Sequence, residues 1–400
     1  MFSNDLRFRV KLSGVKKLIS LIRAGVSVPF VGLLSFALIS PFLADAVARA
    51  EAGTVLNHSA NPMPAHEFKS EGPWFEGWYT RVVDLNHGVS IAMITTSAIH
   101  DGQNLDRSAR PPGYAAIVIQ NGEFSKSFEA FPGVTEIGNT IVQTTGLDFS
   151  WNADGVGSAT SARTELMIND SHAVIDVKSR APWSPLDSDA GPEGLLQFVP
   201  LPLHWYVHNT HGQASYSVDY IQDGVKKHLS GVGVVHQEKN WGQIFPESWV
   251  WMQATNDNAY LTLAGGDLGV GPITAHTYLV GYRSTKVSAD FNLGQGLLTS
   301  FHDSVDWCQR SFKMISYSGV YKLEIKATAA PSSFVALSIP TNTGYQQRGA
   351  FESFTAHVSS RIFRVNGFVL TPDYTLIEAQ EFNQAALEFG ANALLCARGD

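Results

Sequence analysis

The chain has 400 residues, 44% hydrophobic, 11% aromatic and only 16% charged, which gives ample material for a core and excludes an intrinsically disordered protein. Its 35 glycines and 18 prolines exclude a coiled coil and favour a chain that turns often. Beyond residue 48 it carries 22 basic against 34 acidic residues, a net charge of −12 that repels nucleic acid.

Residues 1–23 set Arg7, Arg9, Lys11, Lys16, Lys17 and Arg23 against the single acid Asp5, and residues 24–44 then run without a charge. A helix of that length would span a bilayer as an anchor, whereas Pro29, Pro41 and the Ala46-Val47-Ala48 triplet fit a cleaved signal. Residues 1–48 are therefore read as a signal or membrane-anchor segment. The expected location is secretory, periplasmic or at a membrane surface through residues 24–44, with organelle import also open. Asn57-His58-Ser59 and Asn169-Asp170-Ser171 become glycosylation acceptors only on a eukaryotic secretory route. Cys308 and Cys396 allow one bridge at most.

From residue 49 onward, short segments suited to strands recur: SIAMITTSAI (90–99), YAAIVIQ (114–120), HAVIDVK (172–178), SYSVDYI (215–221), WVWMQA (249–254), YLTLA (260–264), VYKLEIK (320–326) and RIFRVNGFVL (361–370). Asn121-Gly122, Asp154-Gly155 and Asp223-Gly224 supply the positive φ of tight hairpin turns. The fold class is all-β, with two antiparallel β-barrel or sandwich halves over residues 49–225 and 226–400. One short C-terminal helix is predicted over 375–389, TLIEAQEFNQAALEF, with Gly390 as its stop.

No GxSxG elbow, P-loop, GxGxxG fingerprint or HExxH pair occurs in the sequence, which removes the common hydrolase and nucleotide chemistries. Asp187-Ser188-Asp189 begins like a calcium loop, but its twelfth position is Phe198, where a bidentate Glu is needed. His204, His208 and His211 lie on a strand-forming segment, and residues four apart on a strand are about 13 Å from each other, too far to share a metal. No metal and no cofactor are expected.

Two segments bear the chemistry. In GPWFEGWYTRV (72–82), an extended backbone puts Phe75, Gly77 and Tyr79 on one face and Glu76 and Trp78 on the other. In EKNWGQIFPESWVWMQ (238–253), Glu238 and Asn240 share a face, Lys239 and Trp241 share the opposite one, and Trp249, Trp251 and Gln253 form a row. An acid among tryptophans is either paired, with Lys239 or Arg81 as the partner, or holds a raised pKa. The plain alternative is that the aromatics fill barrel cores and the acids pin strand ends.

FEGWY (75–79), GLLQFVPLPLHWYVHNTHG (194–212) and EKNWG followed by Phe245-Pro246 and Trp-x-Trp-Met-Gln resemble the signature blocks of the tocopherol cyclase-like family, over residues 72–282 and again near 385–390. The resemblance implies lipocalin-like halves and an apolar pocket for a hydrophobic prenylated small molecule. It also implies closure of a chroman ring on a prenylated hydroquinone. On side-chain chemistry, Glu238 and Glu76 are the candidate acids, with Tyr79, Asn240 and Gln253 orienting the substrate and Trp78, Trp241, Trp249, Trp251 and Phe245 enclosing it. Asn240 departs from the EKDWG form of bacterial relatives, and an amide cannot act as an acid. Two further readings stay open: a pericyclase or hydratase acting on another isoprenoid or polyene, and a carrier that binds an apolar ligand without turning it over.

Overall fold

The computed structural model describes residues 63–66, 69, 71–103, 105, 110–143, 146–185, 190–198, 201–270, 273–292, 299–366 and 373–390. The segment 1–48, the Asn57 triplet, Asp187–Ala190 in its first three positions, and Cys396 lie outside the described residues. Cys308 is disulfide-bonded.

Eleven strands form the first sheet: β1 (Trp74–Asp84), β2 (Val89–Ile99), β3 (Gly113–Asn121), β4 (Phe124–Ala130), β5 (Glu136–Val142), β6 (Gly146–Ala153), β7 (Gly157–Ala159), β8 (Arg163–Ile168), β9 (Ser171–Val177), β10 (Leu203–Gln222) and β11 (Val225–Gly242). Ten form the second: β12 (Ser248–Thr255), β13 (Ala259–Val270), β14 (Ile273–Ser284), β15 (Ser288–Phe291), β16 (Ser300–Asp306), β17 (Ser311–Tyr317), β18 (Tyr321–Thr328), β19 (Val335–Thr341), β20 (Gly344–Asn366) and β21 (Asp373–Gly390). All pairings are antiparallel. The first sheet runs β4-β3-β2-β1-β11-β10-β9-β8-β7-β6-β5, and the second β15-β14-β13-β12-β21-β20-β18-β17-β16 with β19 on β20. The architecture is all-β with two large antiparallel sheets, as the turn dipeptides and alternating segments imply. Gly122, Gly155, Asp223 and Gly224 all take positive φ at their turns.

The chain changes sheets between Gly242 and Ser248. Asp223-Gly224, near which the two halves were expected to part, instead turns β10 into β11 within the first sheet.

Three apolar cores follow from strand alternation. On β2, Ile91 and Met93 enter the core of the first half with Phe149, Trp151 and Ile175. Ala92, between them, points the other way, into a seam shared with Trp249, Trp251, Leu337 and Phe354 of the second half. β12 divides likewise: Val250, Met252 and Ala254 fill the second half, while Trp249 and Trp251 fill the seam. Strands buried on both faces explain why SIAMITTSAI and WVWMQA lack a polar side.

The helix predicted over 375–389 is not formed; that segment is β21, paired with β20 and β12. Register shifts between Ser353 and Ala356, Ala356 and Val358, and Ile362 and Phe363 interrupt the β20–β21 ladder, and Gln384 takes a φ of 59°. Each bulge changes which face the following residues meet, so the apolar positions lose their two-residue period and imitate a helical one. Gly390 is not a helix stop: a Cβ there would lie 1.9 Å from the Trp249 ring, so the glycine makes room for an indole.

Candidate active site

The ladder between β1 and β11 builds the site by alternation. Glu76 opposes Trp241 and Trp78 opposes Lys239 on one face; Gly77 opposes Asn240 and Tyr79 opposes Glu238 on the other. Directly opposed residues project together, so the two segments singled out from sequence meet as two groups of side chains back to back.

On the first face, Lys239 Nζ lies 2.6 Å from Glu76 Oε1 and donates to the Pro64 carbonyl at 2.7 Å. The His66 ring nitrogen Nδ1 lies 2.8 Å from the same carboxylate oxygen, and the His66 backbone N–H donates to it as well. The ammonium sits 5.1 Å from the Trp241 ring and 6.0 Å from that of Trp78. Burial pushes the Glu76 carboxyl up, but the Lys239 charge and the His66 contact outweigh it and hold the group below its ordinary value. Glu76 is therefore corrected from candidate acid to the anion of a buried ion pair, and it lies outside the pocket lining. Trp241 is corrected with it, being stacked between His66 at 4.5 Å and His204 at 5.0 Å. Trp78 borders the pocket, yet its ring stacks on Phe149 at 4.5 Å within the first half.

The second face opens onto a cavity of about 210 Å³ in the seam. Phe75, Tyr79, Glu238, Asn240, Phe245, Trp249 and Trp251 all border it, which brings most of the sequence-predicted site residues to one space. Phe75 stacks on Phe245 at 4.9 Å, and Tyr79 meets Trp251 edge-on at 5.1 Å. Leu196, Leu201 and Leu203, from the GLLQFVPLPLHWY block, add apolar wall. Beside them Glu193 receives the Trp205 backbone N–H and contacts His204 Nδ1, both at 2.7 Å. Gln253 does not border the cavity; its Oε1 accepts from Arg81, whose second terminal nitrogen donates to Ser90 Oγ at 2.8 Å and to the Gln384 carbonyl at 2.6 Å.

Glu193, Glu238 and Glu388 border this space and Glu352 stands opposite Glu388 in the ladder; of the four, only Glu238 is marked by the sequence reading. Glu388 borders the pocket and accepts the Trp249 indole N–H at 2.6 Å. Glu352 faces Glu388 across the β20–β21 ladder and accepts the Tyr79 hydroxyl at 2.7 Å. Glu238 Oε2 receives the Trp251 indole N–H at 3.0 Å and lies 2.8 Å from His236 Nε2. Burial pushes Glu388 up to about 7, aided by the nearby charge of Glu238 and opposed by the Trp249 hydrogen bond. Burial and the proximity of Glu388 push Glu352 well above the ordinary carboxyl range. On a helix over 375–389, Glu388 has no relation to the tryptophan row. Read as a strand, it stands directly opposite Trp251.

The family profile described as tocopherol cyclase-like matches residues 170–391. No curated protein matches the chain. Among solved structures, CghA aligns with a TM-score of 0.49 at 10% identity, covering 84% of this chain and 95% of its own. A putative AttH of Nitrosomonas europaea aligns at 0.41 and 11% identity over 84% of this chain and 99% of its own. Kievitone hydratase of Nectria haematococca aligns at 0.41 and 10% identity over 82% and 93%.

Proposed function

We propose that this chain, which belongs to the tocopherol cyclase-like family, protonates the alkene of a prenylated hydroquinone in the seam pocket and closes a ring on the resulting cation. The observation that carries this reading is Glu388: a carboxyl raised to about 7, held by an indole N–H at the wall of an apolar cavity. Near neutral pH a substantial share of such a group keeps its proton, as a general acid must.

Glu388 gives its proton to the alkene carbon that leaves the positive charge on the tertiary centre; one C–H bond forms and the π bond is consumed. The indole faces of Trp249 and Trp251 and the nearby Glu238 carboxyl group favour the cation, and the apolar wall keeps water from quenching it. The phenol oxygen then forms the C–O bond and its proton passes to a pocket carboxylate, so the reaction is an isomerisation with no net gain or loss of atoms. Every step uses side chains of this chain. The uncharged run at residues 24–44 supports a place for the enzyme in or beyond a membrane, where its substrate partitions, and the bonded Cys308 suits an oxidising compartment.

The test is Glu388→Gln in the full chain, incubated with a panel of prenyl quinols and followed by mass spectrometry. Cyclised product is expected to fall at least about 100-fold, while binding, read from quenching of tryptophan fluorescence, stays within a few-fold. Undiminished turnover removes Glu388 as the acid. Product from a polyene but from no prenyl quinol favours a cycloaddition, which needs shape and polarisation more than a proton; binding without any product from the wild-type chain favours a carrier.

A further inference from the structure

Next to Glu238 and outside the pocket lining, two buried groups have no part in the proton donation just described. His236 lies two residues before Glu238 on the same face of β11, and Tyr260 reaches it from β13 of the second sheet. Their contacts form a chain: the Tyr260 hydroxyl lies 3.0 Å from His236 Nδ1, and His236 Nε2 lies 2.8 Å from Glu238 Oε2. The imidazole is 1% exposed and Tyr260 2%. Tyr79, Trp251 and Tyr260 surround the imidazole, with ring centroids 6.4, 5.9 and 6.0 Å from its own.

The Trp251 and Tyr260 contacts favour a proton on His236 Nε2. The Trp251 indole nitrogen can only donate, so Glu238 Oε2 accepts from it. If the Tyr260 hydroxyl donates to Nδ1, then Nε2 bears the imidazole proton and donates to the same Oε2. The opposite tautomer would set a bare Nε2 lone pair against an oxygen that already serves as an acceptor. Two N–H donors then hold one oxygen of Glu238, and its Oε1 makes no hydrogen bond to any described residue although the side chain borders the pocket.

Resting on the ring-closing reading above, we propose that Tyr260 and His236 are positioning residues: Tyr260 fixes the imidazole tautomer, and the imidazole holds Glu238 as the base of the pocket, opposite the acid Glu388. In turnover the phenol O–H bond breaks as the C–O bond forms, and Glu238 Oε1 takes the proton. Glu388, left ionised by its donation to the alkene, recovers a proton and Glu238 loses one when product leaves and water enters. The like charge of Glu238 beside Glu388 serves the same division of labour, because it disfavours ionisation of the acid before substrate arrives.

The test uses the full chain with a prenyl quinol. His236→Leu removes the donor and is expected to lower kcat about 100-fold at unchanged KM. In His236→Gln a carboxamide N–H takes the place of Nε2–H, and kcat is expected within about 5-fold of wild type. Tyr260→Phe frees Nδ1 and is expected to lower kcat about tenfold. A structural role alone would not separate Leu from Gln in kcat while KM holds. Independently of whether the variants fold, nitrogen NMR of histidine-labelled wild-type chain reports the tautomer. His236 with its proton on Nε2 is expected, with both tautomers present in Tyr260→Phe. His236 protonated at Nδ1, or His236→Leu with wild-type kcat, overturns the proposal. If Glu388→Gln is inactive while His236→Leu is fully active, the positioning role fails and the acid stands; if Glu388→Gln is active, Glu388 is not the acid; and if the wild-type chain closes no ring on any prenyl quinol, the ring-closing reading itself fails.

Discussion

The two faces of the β1–β11 ladder bury glutamates to nearly the same depth and treat them in opposite ways. Glu76 is 0% exposed and Glu238 3%, yet the first has an ammonium at 2.6 Å while the second has only uncharged or weakly basic N–H groups beside it. Lys239 and Glu238 are adjacent in sequence, so one step along a strand decides which carboxylate is neutralised. The face with the cation is a sealed structural pair. The other face gathers Glu238, Glu352 and Glu388, with the Arg81 guanidinium taken up by Gln253, Ser90 and the Gln384 carbonyl; burial first, and like-charge crowding second, raise the affinity of the last two for a proton against the opposing charge of Arg81 at Glu352. Burial alone does not mark an active-site acid; burial without a cation in direct contact does.

Removing the counter-charge breaks this contrast with the largest effect. Lys239→Met leaves Glu76 buried without its ion-pair partner and is expected to cost about 3–5 kcal/mol in urea unfolding, much of it recovered by adding Glu76→Gln. A destabilisation below about 1 kcal/mol would mean that the pair is solvated. On the pocket side, Gly390→Ala puts a methyl into the Trp249 ring and displaces the indole that binds Glu388. We expect a loss of about 1–3 kcal/mol in the same assay and a larger loss of turnover. The smallest effect is in pH dependence. Glu388 binds its proton more tightly folded than unfolded, so its contribution to stability is full below its ordinary value near 4.5 and is lost as pH rises through about 7. Glu388→Gln is therefore expected to raise Tm by a few degrees at pH 8 and to leave it nearly unchanged at pH 4. A Tm shift equal at both pH values would argue against a raised group.

Much of this was legible from the chain itself. The alternation in EKNWG correctly separates Glu238 and Asn240 from Lys239 and Trp241, because a strand's two-residue period needs no knowledge of its neighbours. Which acid is paired was not legible, since Lys239 reaches Glu76 only through a register between strands about 160 positions apart in the sequence. Gln253 shares a face with Trp249 and Trp251 but is taken up by Arg81, another long-range contact. Glu388 and Glu352 were hidden for a different reason: bulges in β20 and β21 scramble the period that would have shown ALEFG as a strand facing the tryptophans.

The cavity lies in a seam, and neither half needs it for its own core. Its walls come from both sheets, with Phe245 of the crossing segment at its edge. Substitutions along the seam can admit a longer or bulkier guest between the two halves. Their interiors can stay as they are, and the breadth of chemistry the scaffold can host then follows from its joinery.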